Sequence, residues 1–419
     1  MLRKMKPIYL ALLLVSGAAI SCSESPKIAD SNQVSNMDAG QSDSGVPTCA
    51  SELPFGEVVD IDTTIDSRTQ IHASAAFTGN SVWVAYSRPR SDNKFDVYAS
   101  AFSCDGSKIF EALKISQSVK GQISTRNDIE PQVTVVADRI VVVWQSDNSM
   151  APNNLDIWFR IFEFDGTPVA DEQRLEMTRQ GVQEPGNAWM PAVCAMSDHF
   201  VVSGSWGHSD TPQFAVFAQR VSLDGQLMGE AMDGALQPES SQVYSSVGCR
   251  ANGDIELAWV NSNSVGADEI ARTTLVQGSI NAQPHRVLAT GNNALITLSP
   301  NGRFVAYANE QSQETDITLV DTADLANEIT TGSRGKIDFG PVISQQGLIH
   351  YRNIRGLNNQ VVFARFETEP LSLSDTLVLN SEPAPPYSPV LIDLPGGMFA
   401  AWSEGMSPNF VIKGRFIAK

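Results

Sequence analysis

Chemistry needs side chains that can move a proton, attack an electrophile or hold a metal, and here those side chains are scattered. The five histidines, His72, His199, His208, His285 and His350, stand far apart, and none is spaced to share a metal ion with another. No two of Cys22, Cys49, Cys104, Cys194 and Cys249 form a Cys-x-x-Cys pair and no histidine flanks them, which argues against a zinc site. There is no Gly-x-Ser-x-Gly elbow, no His-Glu-x-x-His pair and no phosphate-cradling glycine loop. The sequence therefore assigns no catalytic residue, no metal site and no cofactor. His350 lies inside an apolar run and reads as a core histidine, whereas His208 falls in a polar loop, where it is a solvated residue or part of a binding face.

Those residues must be positioned by strands, because almost no stretch shows a helical period and the repeats are strand-like. Asp105-Gly106, Asp165-Gly166 and Asp224-Gly225 are spaced by 60 and 59 residues, and each closes an alternating segment such as "DIWFRIFEFDG". Asp-Gly suits a tight hairpin because the turn requires positive φ. Pro131 and Pro191 repeat at 60, as do Asp138 and Asp198. Seven second strands follow: 81–87, 140–146, 200–206, 255–262, 303–309, 347–353 and 398–405. The expected fold is all-β, a β-propeller of seven four-stranded blades with six or eight as alternatives. The segment "EVVDID" (57–62) has no other partner, and "FVIKGRFI" (410–417) lacks a fourth strand beside it. The N-terminal strand is thus expected to complete the last blade, removing two exposed edges.

Composition limits the partners. The chain carries 29 basic against 47 acidic side chains, a formal net charge of −18. Nucleic acid and anionic headgroups are poor candidates for a broad binding face, since both require clustered Lys and Arg. Arg3, Lys4 and Lys6 precede an apolar run from Ile8 to Val15 that is shorter than the about 20 residues of a spanning helix. Residues 23–48 are rich in Ser, Asp, Asn, Gln and Gly and cannot bury a core, so they read as a disordered leash.

Ala19-Ile20-Ser21-Cys22 resembles a bacterial lipobox, with Ala19 where such motifs more often carry Leu. The resemblance implies a signal peptide over 1–21, lipidation of Cys22 and a tether over 22–48. Residues 49–419 then form a single propeller domain. Ser23 after the cysteine implies the outer membrane, with the lipid as the only membrane contact. In that oxidising compartment Cys49, Cys104, Cys194 and Cys249 form an even set. The repeat register favours Cys194 with Cys249 and Cys49 with Cys104.

"LSPNGRFVAYANEQSQETDITLVD" (298–321) is similar to the repeat of TolB-like periplasmic propellers, through Ser299, Pro300, Gly302 and Asp316-Ile317, with Asn301 where Asp is usual. The resemblance speaks to fold, and fold alone does not carry function. A sialidase-like propeller is the enzyme alternative, but its repeated Ser-x-Asp-x-Gly-x-x-Trp box does not occur.

If all blades run the same way, the loops 88–95, 147–154, 207–213, 261–268 and 352–359 share one rim, and recognition is expected there. Arg68, Arg126 and Arg352 are placed at blade entrances, as surface or structural ion-pair residues or, in the sialidase-like alternative, as catalytic residues, and with Asp128 and His208 they are candidates for the binding face. Trp189 is the aromatic anchor candidate of that face. Trp83, Trp144, Trp158, Trp259 and Trp402 are expected to pack between blades. The resulting reading is a non-enzymatic, monomeric lipoprotein that binds or scaffolds a protein or glycan through the rim. The alternatives are a carbohydrate-active hydrolase or lyase, and an envelope assembly factor like TolB.

Overall fold

Runs such as "IVVVWQS" are apolar on both faces, which suits strands covered on both sides by neighbouring sheets. The computed structural model describes residues 56, 58–64, 70–92, 94–103, 105–117, 126–148, 155–179, 182–183, 188–207, 214–234, 240–263, 267–277, 286–311, 314–332, 337–353, 359–374, 376–384, 389–406 and 409–418. Among these residues there are strands and turns and no helix.

The chain enters with β1 (Val58–Asp60) and builds a first antiparallel sheet from β2 (Ile71–Phe77), β3 (Ser81–Pro89), β4 (Phe95–Ser103) and β5 (Lys108–Lys114). A second sheet follows with β6 (Arg126–Val136), β7 (Arg139–Asn148), β8 (Leu155–Phe162) and β9 (Gln173–Arg174), then a small hairpin of β10 (Thr178–Arg179) and β11 (Val182–Gln183). The third sheet is β12 (Ala188–Ala195), β13 (His199–Gly207), β14 (Phe214–Ser222) and β15 (Met232–Asp233). The fourth contains β16 (Ser240–Cys249), β17 (Ile255–Asn263), β18 (Asp268–Leu275) and the first half of β19 (Arg286–Leu298). The second half of β19 starts a fifth sheet with β20 (Phe304–Gln311), β21 (Glu314–Asp321) and β22 (Glu328–Thr330). A sixth has β23 (Ile337–Ile343), β24 (Gly347–Asn353) and β25 (Gln360–Thr368), with β26 (Leu371–Leu373) and β27 (Leu377–Val378) both on β25. The seventh is β28 (Val390–Leu394), β29 (Gly397–Met406) and β30 (Asn409–Ala418), and its fourth strand is β1, paired Val59 to Gly414.

This is an all-β chain of repeated four-stranded antiparallel units, consistent with a propeller. The seven second strands expected from sequence coincide with β3, β7, β13, β17, β20, β24 and β29, with Arg303 just outside β20, and the fourth to sixth units run on into one another through β19 and the Thr315–Ile337 pair. Apolar layers fill the spaces between consecutive sheets; one, holding Val84, Tyr86, Val390 and Phe399, packs the first sheet on the seventh. Trp83, Trp144, Trp259 and Trp402 are wholly buried in such layers, as expected. Trp158 also packs against the layer between the first and second sheets, but it is only half-buried, with the Arg126 guanidinium over its ring. Cys194 of β12 and Cys249 of β16 form a disulfide between the first strands of the third and fourth sheets, with a Cα–Cα distance of 5.7 Å. Cys22, Cys49 and Cys104 lie outside the described residues, as do the signal and tether segments.

The two ends of the sheets differ. The opposite-edge turns carry glycine at positive φ, at Gly79, Gly106, Gly166, Gly225, Gly253, Gly302 and Gly396. The edge where first strands start and second strands end carries the longer connections, and most of their length lies outside the described residues.

First strands share one irregularity. Each of six carries a bulge, with a residue near φ +55 to +60: His72, Glu130, Met190, Tyr244, Leu295 and Gly340. In the seventh, the corresponding residues lie outside the described set. A bulge takes one residue out of the ladder and re-aims its side chain. Only glycine adopts such a φ without strain, so five of these positions hold a strained backbone.

Candidate functional site

Arg126 and Asp128 begin β6, at the edge expected to bind. The Arg126 Nη2 lies 2.7 Å from Glu172 Oε1 and 3.4 Å from Asp128 Oδ2, and donates to the Gln117 carbonyl at 3.1 Å. Its guanidinium carbon sits 4.3 Å from the Trp158 ring centre, so the indole face is already occupied by a cation. Arg90 donates to the Arg126 carbonyl and pairs with Asp92 and Asp96, and Asp96 also takes Lys114 at 2.7 Å. Burial pushes the Asp128 and Glu172 carboxyls up, partly offset by Arg126. The junction of the first two sheets is therefore a closed ion-pair network.

Arg352 ends β24 and forms a fork with Asp338 of β23, at 2.8 and 2.9 Å. His350 Nε2 stands 3.2 Å from the same carboxylate, and Thr331 Oγ1 donates to it at 3.0 Å. Burial alone would raise the Asp338 pKa, but the hydrogen bonds from Arg352 and His350 outweigh it and hold the carboxyl well below the usual range. His350 is buried, as its apolar strand implied, and its Nδ1 has no hydrogen-bond partner. A histidine paired with a carboxylate is half of a nucleophile-activating arrangement. Here the carboxylate is shared with arginine and the free ring nitrogen touches no hydroxyl, so no triad is assembled.

Trp189 of β12 is half-buried, its ring 5.1 Å from that of Phe214, and its indole N–H has no acceptor. Arg68 and His208 lie outside the described residues. Thus Arg126 and Asp128 come together, while Arg352 and Trp189 stand on other sheets.

The bulge row was not singled out by sequence reasoning. His72, Glu130, Met190 and Tyr244 lie on four consecutive first strands that pack against one another. Met190 and Leu295 are buried without belonging to the apolar layers between sheets, whereas Tyr244 packs against the layer that joins the third to fifth sheets. Glu130 is only 2% exposed, its Oε2 has no hydrogen-bond partner, and burial alone pushes its pKa up to about 8. His72 is driven the other way by burial, down to about 3, and is neutral near pH 7. The signal that marks the row is an X-Pro step at Glu130-Pro131, Met190-Pro191 and Gly340-Pro341. Among the described residues, no group of three or more His, Cys, Asp or Glu could hold a metal ion.

No family model matches the chain and no curated protein matches it. Solved structures do. A protein of unknown function from Dyadobacter fermentans is 10% identical, with a TM-score of 0.55 over 88% of this chain and 100% of that one. An ulvan lyase of a polysaccharide lyase family, bound to -[GlcA(1-4)Rha3S]-, is 10% identical, with a TM-score of 0.54 over 86% of this chain and 96% of that one. TolB from Acinetobacter baumannii, a β-propeller, is 11% identical over 79% of this chain and 78% of that one. Its TM-score of 0.44 carries no argument. At such identities the likeness is one of fold alone.

Proposed function

We propose that the seven sheets close into a seven-bladed ring that binds a protein or glycan through the edge where first strands begin. The observation that carries this reading is the contrast between the two edges. One carries short glycine turns, and the other carries polar connections of unequal length, the arrangement in which a rigid scaffold presents variable recognition loops. Ring closure is supported by the pairing of β1 with β30 and by the apolar layer between the first and seventh sheets. In this reading the protein is a monomer, exported and held at the outer membrane by lipid on Cys22, with the 22–48 segment as a leash of about 25–30 Å. The test is capture of ligands from envelope extracts by the lipid-free protein, with loops 207–213 and 352–359 each cut to Asn-Gly. Capture is expected to fall at least tenfold; unaltered capture by both variants removes the proposal.

A second reading, a carbohydrate-active hydrolase or lyase, is favoured by Glu130 alone. A carboxyl titrating at about 8 holds a proton near neutral pH, as a general acid must. Turnover of any polysaccharide in a substrate screen, abolished by Glu130→Gln, would promote it above binding. An assembly role like that of TolB differs only in partner, and co-purification from native membranes separates the two.

A further inference from the structure

Two separate costs fall on Glu130. Its backbone sits at φ 55, and its carboxyl is buried with an oxygen that has no hydrogen-bond partner among the described residues. Strain and unsatisfied burial persist where the surrounding structure compels them, and they mark sites that a ligand completes. In the closed ring, the inner edges of the first strands face a common axis, so bulge side chains at the same level of successive strands form an arc around it. Glu130 has Met190 and Tyr244 on the next two strands and the neutral His72 on the preceding one.

We propose that this arc is a binding site for a small organic cation, a protonated alkylamine, with Glu130 as its counter-ion and Met190 of the adjoining first strand beside it. The site goes beyond rim recognition and rests on the ring closure proposed above. An ammonium group supplies the hydrogen-bond donors that Glu130 Oε2 lacks and stabilises the ionised carboxylate, so binding releases to solvent the proton that burial holds on Glu130 near neutral pH. A divalent metal fits less well, because it requires several oxygen ligands and no acidic cluster stands there among the described residues. The net charge of −18 also draws cations toward the protein.

The test is a thermal-shift titration of the lipid-free protein at constant ionic strength with n-butylammonium chloride, with n-butanol and sodium butyrate as neutral and anionic analogues. A ligand that binds only the folded state raises the midpoint. Butylammonium alone is expected to raise it, and Glu130→Gln, which keeps the side-chain shape, is expected to weaken binding at least tenfold. A control substitution away from the first strands, Leu377→Ala on the exposed β27, should respond like the wild type. An equal response in Glu130→Gln, an equal response to butanol, or no response in the wild type overturns the site. Small-angle scattering of the wild type separates the two ideas: an elongated array defeats closure, whereas a compact disc without an amine response defeats only the amine site.

Discussion

Glu130 and Asp338 are both carboxyls shut away from water, and their neighbours send them in opposite directions. Asp338 has the Arg352 fork and His350; Glu130 has no charged partner, so desolvation alone sets its pKa at about 8 against 4.5 in an open chain. Below pH 4.5 both folded and unfolded chains hold the Glu130 proton. Between about 4.5 and 8 only the folded chain does, so the stability this group confers drains away as pH rises through that window. Urea unfolding at pH 5 and pH 8 should show wild-type stability falling, with a clearly smaller fall in Glu130→Gln. Identical slopes would mean the carboxyl is not held as described. His72, whose folded pKa is depressed, acts in the opposite sense, its contribution being lost as pH falls from about 6.5 toward 3.

Strands and bulges differ in how plainly they are written. Alternation, the Asp-Gly hairpins and the apolar second strands were legible because each is a local pattern with a local cause, and β1 was legible as a strand without another mate. The bulge row was not. Its backbone is the same in each strand, but the residues are His, Glu, Met, Tyr, Leu and Gly, and five of the six are not types that favour positive φ. Pairwise closure of Arg126 on Glu172, or of Arg352 on Asp338, was equally hidden, since the partners lie 46 and 14 residues apart on segments that only the fold brings together. A prediction belongs at this scale. Truncation through Asp60 removes β1, leaves β30 as an open edge and breaks the Lys413–Asp60 ion pair. The melting midpoint should fall by roughly a few degrees, for a loss of about 1–3 kcal/mol in hydrogen bonds and packing. A midpoint unchanged on truncation would show that β1 contributes nothing to the seventh sheet.

Over the molecule as a whole, each sheet rests mainly on its two neighbours, so stability is shared among joints between sheets. The joint between the third and fourth sheets is covalent. Its disulfide closes a 55-residue separation, for which chain entropy alone corresponds to about 4 kcal/mol. Replacing Cys194 and Cys249 together by Ser should lower the denaturant midpoint by a loss of that order; no change would show that the bond leaves the unfolded chain as free as before. Cys194 and Cys249 are both buried, so reductant acting on the folded protein should be slow to reproduce the effect. The repeated bulge has a different consequence. Since the main chain takes the same path from His72 to Gly340 whatever side chain it bears, each of these six sheets offers one address that mutation can rewrite without disturbing the other five. A lineage of such chains can change what it holds letter by letter while the frame stays put.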